Sequence, residues 1–114
     1  MNDTIFDFLQ KGVIQEWKKH PAYEGVMLAE VKYDYAQSWR ILLVKVDGGK
    51  GMLPHIHESE TEIHFVLNGS AAARVGKETM EYTAGQICRI PCGTEHEVRA
   101  GTEGLTMAAL FLKE

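Results

Sequence analysis

The 114-residue chain reads as an all-β sandwich or barrel. From Gly25 onward the hydrophobic period is two, the signature of half-buried strands. The apolar runs are short and rich in branched or aromatic residues, and glycine- or proline-bearing turn formers separate them. No second helical pattern interrupts the series.

Taken in chain order, the first element is the exception. Asp3 or Thr4 can cap a helix with Asp7 in its opening turn. Ile5, Leu9, Val13 and Trp17 recur at fours, with Phe8 and Ile14 beside them, giving one apolar stripe. Lys18, Lys19 and His20 suit the negative helix end and Pro21 stops it, while Gly12 weakens the interior. Such a stripe packs on a core rather than anchoring in a membrane. The strands follow as GVMLAEVKY, RILLVKV, EIHFVLNG, SAAARVG, QICRIP, HEVRA and LTMAALFL. Turns are expected at DGGKG (47–51), NGS (68–70), VGKE (75–78), PCGTE (91–95) and AGTEG (100–104).

Composition narrows the function classes. Apolar residues make up 45% and charged residues 25%, enough for one core without disulfides. A formal charge of −4 and a pI near 5.7 argue against nucleic acid or an anionic membrane as partner. No segment reaches the ~20 apolar residues needed to span a bilayer. MNDTIFDFLQ lacks a basic start, so no signal peptide is expected and the cytoplasm is the expected compartment. Cys88 and Cys92 are too few and too close for a disulfide framework and are read as unreactive thiols.

The stretch LPHIHESETEIHFVLNG, residues 53–69, concentrates costly polar side chains beside apolar ones. Placed on one strand, His55 and His57 share a face with Cα atoms ~6.6 Å apart. Two imidazoles there can converge on one cation at ~2.1 Å. Pro54 sets the chain direction, and Ile56 should turn the other way into apolar packing. Parity puts Glu62, His64 and Val66 on one face, against Ile63, Phe65 and Leu67. An unpaired carboxylate on a packed face is expensive, so Glu62 needs a cation or hydrogen-bonding partner. His96, beyond the PCGTE turn and in phase with Val98 and Ala100, can supply a further imidazole.

Glu58 and Glu60 are read as solvated loop charges. His64, on the face of Glu62, either orients that carboxylate, moves a proton near pH 7, or is hydrogen-bonded for packing. Arg74 and Arg99 are the basic residues that parity offers to an anionic substrate. Alternation turns one of Cys88 and Arg89 inward. Trp39, Met52, Met80 and Met107 are read as core or pocket lining.

These motifs resemble the cupins, small jelly-roll barrels with a metal inside. Gly49, His55, His57, Glu62 and Gly69 match the spacing of the first cupin motif, Gly-x5-His-x-His-x4-Glu-x6-Gly. Gly85, Pro91, Gly93 and His96 match the second, with Ala100 where the family has an asparagine that is not a ligand. Two gapped patterns in the right order span residues 49–100, roughly half the chain. The resemblance implies a cupin jelly-roll barrel, a double-stranded β-helix, over 23–114 with a helical segment over 1–22 packed on it. It implies His55, His57, Glu62 and His96 as ligands of a divalent transition metal: iron, manganese, nickel or zinc. It also implies a homodimer and a small-molecule ligand.

Three functions fit. The first is an enzyme with an open metal position acting on a small oxygen-rich substrate, as a dioxygenase or as a lyase, decarboxylase or isomerase, with His64 as the candidate catalytic residue. The second is a non-catalytic module binding a small ligand or ion. The third, metal-free sugar-type isomerisation, is disfavoured by the complete ligand set.

Overall fold

Alternation of inward and outward residues along two unusually long strands organises the structure, a computed structural model that describes residues 16–31 and 39–114. Eight strands occur in the described chain: β1 (Lys18–Lys19), β2 (Val26–Val31), β3 (Trp39–Val46), β4 (Gly51–His55), β5 (Glu60–Val75), β6 (Glu78–Thr83), β7 (Ile87–Ile90) and β8 (His96–Lys113). No described residue is helical. All pairings are antiparallel.

Strands β5 and β8 each serve two layers. The first half of β5 pairs with β7 and with the second half of β8, which also pairs with β3 and so connects to β2 and β1. The second half of β5 pairs with β6 and with the first half of β8, whose other edge receives β4. Two layers sharing two continuous strands make a rolled sheet, the expected jelly-roll barrel. Between the layers sits the larger core, including Val44, Val66, Val98, Leu105 and Met107, all nearly fully buried. Complete burial of each such side chain stabilises by roughly 1.5–3 kcal/mol. Ala29, Val31, Leu43, Leu67 and Ala108 form a second cluster on the opposite side of the same strands, with Trp17, Ile41 and Phe65 against it. The parity expected for Glu62 through Leu67 is therefore the observed one.

The expected turns at NGS and AGTEG are instead bends inside strands. Register slips beside Asn68 and Gly69 in β5, where the strand passes from one layer to the other. Gly69 and Gly104 have φ of +81° and +84°. A Cβ on Gly69 would lie 2.1 Å from the Gly104 carbonyl oxygen. The two paired strands approach backbone to backbone where they bend, and only glycine permits both the dihedral and the approach.

Other expectations are corrected. Lys18 and Lys19 pair with Met27 and Leu28 as a strand instead of ending a helix; the rest of the expected N-terminal helix lies outside the described residues. The segment ETMEYT is strand β6, absent from the expected series because its exposed positions dilute the apolar signal. Strand β4 ends at His55, so His57 lies on the connection beyond it. Ile56 is exposed rather than packed, at 46%.

A substitution series checks this approach. Gly69→Ala should cost at least about 2 kcal/mol in chemical denaturation, since dihedral strain and a backbone clash add. Gly49→Ala, with φ +76° but nothing within 4 Å of its Cβ, should cost only about 1 kcal/mol. Equal costs would contradict the close approach.

Candidate metal centre

The four expected ligand residues reach one point by different routes. His55 closes β4 and sits opposite His96, the first residue of β8. Glu62 projects inward from β5. His57 is held by its own carbonyl, which accepts from the Gly93 N–H at 2.9 Å and ties its loop to the Pro91–Gly93 turn. One donor atom from each of His55, His57, Glu62 and His96 lies within 4.8 Å of the others. Glu62 and His96 are buried, whereas His55 and His57 are half-exposed and form the open side.

Tautomers follow from the partners. His55 Nδ1–H donates to the Leu53 carbonyl at 2.6 Å, and His96 Nδ1–H to the Thr94 carbonyl at 3.0 Å. A carbonyl only accepts, so both rings carry their proton on Nδ1 and leave Nε2 to the cluster. Glu62 Oε1 lies 3.1 Å from His96 Nε2 and 3.3 Å from His57 Nε2. A lone pair facing a carboxylate oxygen at that distance needs a proton or a cation between them. This donor set, three imidazoles and one carboxylate, suits zinc, iron, manganese or nickel.

The other carboxylate oxygen is occupied. His64 Nε2–H donates to Glu62 Oε2 at 2.7 Å, and the Tyr82 hydroxyl donates to His64 Nδ1 at 2.9 Å. Burial and the neighbouring Cys88 push the Tyr82 phenol far up, so it keeps the proton it donates. His64 is 1% exposed and both its nitrogens are engaged. Burial alone would raise the Glu62 pKa, but hydrogen bonds from His57, His64 and His96 outweigh it and hold the carboxyl far below its usual range. Burial lowers His96, yet its hydrogen bonds to Glu62 and Thr94 leave it raised. For His55 burial dominates, with the neighbouring imidazoles adding to it, and the pKa falls.

Several sequence readings change here. Arg74 faces outward and is saturated, with Nε 2.9 Å from Glu97, Nη2 3.0 Å from Glu95, and Nη1 donating to the Gly76 carbonyl. Arg99 is exposed and reaches the Gly49 carbonyl. Neither meets the site. Glu60 is no loop charge but opens β5, half-buried and paired with Arg40. Cys88 is the inward member of its pair, against the main core, and Arg89 is exposed. Sequence reading missed Tyr82, Phe111 and Arg40. Tyr82 was findable: it stands in phase with Met80 shortly after the VGKE turn signal.

Residues 42–112 match the cupin domain family. An uncharacterized Streptomyces coelicolor protein is 33% identical over 58 residues, 51% of this chain; the match covers 52% of that relative, so the chain spans about half its length. Among solved structures, KdgF from a Halomonas species superposes with a TM-score of 0.77 at 22% identity, covering 88% of this chain and 87% of that one. A predicted oxalate decarboxylase from Thermotoga maritima gives 0.75 at 22%, covering 90% and 95%. The cupin domain of Schizosaccharomyces pombe Cnp3 gives 0.76 at 12%, covering 88% and 69%.

The coupling of Glu62 to its histidines predicts a stability profile for the chelator-treated protein. A depressed carboxyl pKa contributes stability that is complete above about pH 4.3 and lost as pH falls further. A raised histidine pKa contributes stability that is complete below about pH 6.5 and lost as pH rises through its folded value. The stability difference between wild type and Glu62→Gln should therefore peak between those values and shrink on both sides in urea titrations. A difference independent of pH would contradict the pairing. Fold, motif spacing and family match agree: the chain belongs to the cupin domain family.

Proposed function

We propose that this cupin binds a divalent transition metal through His55, His57, Glu62 and His96 and acts on a small oxygen-rich molecule at the open side of that site. The observation that carries this reading is the convergence of four donor atoms within 4.8 Å, three from imidazoles and one from a carboxylate. When bound, the ion supplies Lewis-acid and templating chemistry to carboxylate, enolate or hydroxyl oxygens, leaving coordination places open beyond four protein ligands.

The chain's own residues do the rest. Leu53 and Thr94 fix the rings of His55 and His96 with Nε2 toward the site. We assign His64 to orientation: it holds Oε2 of Glu62 and so leaves Oε1 as the oxygen offered to the ion, and Tyr82 holds His64. Outer partners of this kind set ligand geometry and basicity. Phe111 stands edge-on to His57, 5.4 Å between ring centroids, and Tyr23 lies 6.0 Å from His55. Phe111 is buried and Tyr23 is half-buried, so these rings back the two histidines with apolar surface.

Engagement of both His64 nitrogens favours a second reading, reversible ligand binding without turnover. Tag-free, metal-loaded protein offered small organic acids separates the two. Oxalate belongs in that set because the Thermotoga maritima fold neighbour is described as a predicted oxalate decarboxylase. Consumption of an acid, with or without O₂ uptake, supports the enzyme; saturable binding with full recovery of the acid supports the module.

Metal titration by calorimetry tests the ligand set. Tyr82→Phe should weaken metal binding about 10-fold and His64→Ala roughly 10–100-fold, as loss of outer partners does. His96→Ala, which removes a ligand, should cost more than either. Unchanged affinity in His96→Ala would refute the site.

A further inference from the structure

The register places a cation in line with the metal centre. Arg40 on β3 pairs with Phe111 on β8, and Phe111 pairs with Glu62 on β5, so the three residues form one transverse row. Two strand spacings separate Arg40 from Glu62, ~10 Å between Cα atoms. Arg40 is in phase with Leu42, Val44 and Val46, which pack into the barrel core. Of the four arginines, Arg74, Arg89 and Arg99 sit opposite or between outward positions, and only Arg40 takes an inward one. Its guanidinium lies 4.3 Å from the centroid of the Phe111 ring, and the same ring meets His57 at 5.4 Å. One phenyl ring is thus touched by the guanidinium and by a proposed metal ligand.

Arg40 is held loosely. Its Nε and Nη2 each lie 3.4 Å from a Glu60 oxygen, and Nη1 has no partner among the described residues. Ordinary charge-assisted pairs are about 2.7–2.9 Å. Arg74 shows what a saturated arginine looks like in this protein, with contacts of 2.9, 3.0 and 2.7 Å. Arg40 also keeps 45% of its side chain in solvent. A planar fork with a free edge, half in solvent and packed over the buried Phe111 ring, is suited to bidentate recognition of a carboxylate.

We propose that Arg40 is a specificity-determining residue that binds the distal carboxylate of a small dicarboxylic acid whose other end meets the metal. This deepens the function proposed above and rests on it. Glu60 is the competitor that the ligand's carboxylate displaces from the guanidinium. The local charge fits: a divalent ion with Glu62 and the Arg40–Glu60 pair leaves a net positive mouth in an otherwise acidic protein.

Calorimetric titration of manganese-loaded protein with linear dicarboxylates from malonate to glutarate, each against its monoamide, tests the assignment. At least one wild-type dicarboxylate should bind tenfold or more tightly than its monoamide. Arg40→Gln should abolish that preference without changing metal content, and Arg40→Lys, which keeps charge but not the planar fork, should retain only part of it. Glu60→Gln should raise dicarboxylate affinity several-fold. A preference retained in Arg40→Gln, or absent from wild type, overturns the proposal. Metal content measured before ligand is added keeps the two readings apart: bound metal with no Arg40-dependent preference overturns only this assignment, and no bound metal overturns both.

Discussion

A single buried carboxylate, split between two tasks, is the constraint on which the site depends. Glu62 points into a barrel whose other inward residues are mostly apolar, where an unpartnered charge would be expelled or neutralised. It stays ionised because imidazoles meet both oxygens: His57 and His96 at Oε1, His64 at Oε2. That division also fixes direction. Because His64 holds one oxygen from behind and Tyr82 fixes the His64 ring, the other oxygen is aimed at the open side with little freedom to turn. A rigid carboxylate is worth more to a metal than a mobile one, since no ordering cost remains at binding. The same arrangement explains why a histidine so close to the centre has no nitrogen left for a substrate.

The rigidity comes from the paired bends in the sheet. Ligands on β5 and β8 converge only because both strands bend from one layer to the other. The bends require glycine at 69 and 104, where the backbones nearly touch. A straight β5 paired to a straight β8 would make a flat sheet with no interior for Glu62 and His96 to share. These demanding backbone positions lie outside the candidate ligand set and still determine whether its members meet. Gly69 ends the motif that contains His55, His57 and Glu62, so one short stretch encodes both the ligands and the bend.

How much of this was legible follows from what each signal measures. Period-two alternation recovered which face each β5 residue takes, because burial on one face is what alternation records. Motif spacing found all four converging residues, although one step of the geometry behind it differs: His57 lies past the end of β4 and is placed by the loop and the Gly93 hydrogen bond. Local turn chemistry misled at NGS and AGTEG, since glycine with positive φ serves a strand bend as readily as a hairpin. Arg40 stayed hidden because its meaning is a cross-strand row, Arg40–Phe111–Glu62, joining residues far apart in the chain. Arg74 and Arg99 alternate with the buried Ala73, Val98 and Ala100 and so face outward, which parity with His96 and Val98 could have shown.

Structures sharing this fold at 12–22% identity carry names as different as a cupin domain of Cnp3 and a predicted oxalate decarboxylase. A barrel common to such proteins does not choose a substrate. A ligand set of histidines and one carboxylate accepts almost any small oxygen donor, so it cannot choose one either. Discrimination has to come from side chains that stand beyond the donors and differ in charge and shape at the entrance. In this chain the candidates are a half-buried tyrosine near His55 and an arginine that rests with its counter-charge on the buried Phe111 ring. On the proposed reading, a half-neutralised guanidinium beside the donors favours a small carboxylate over a neutral sugar.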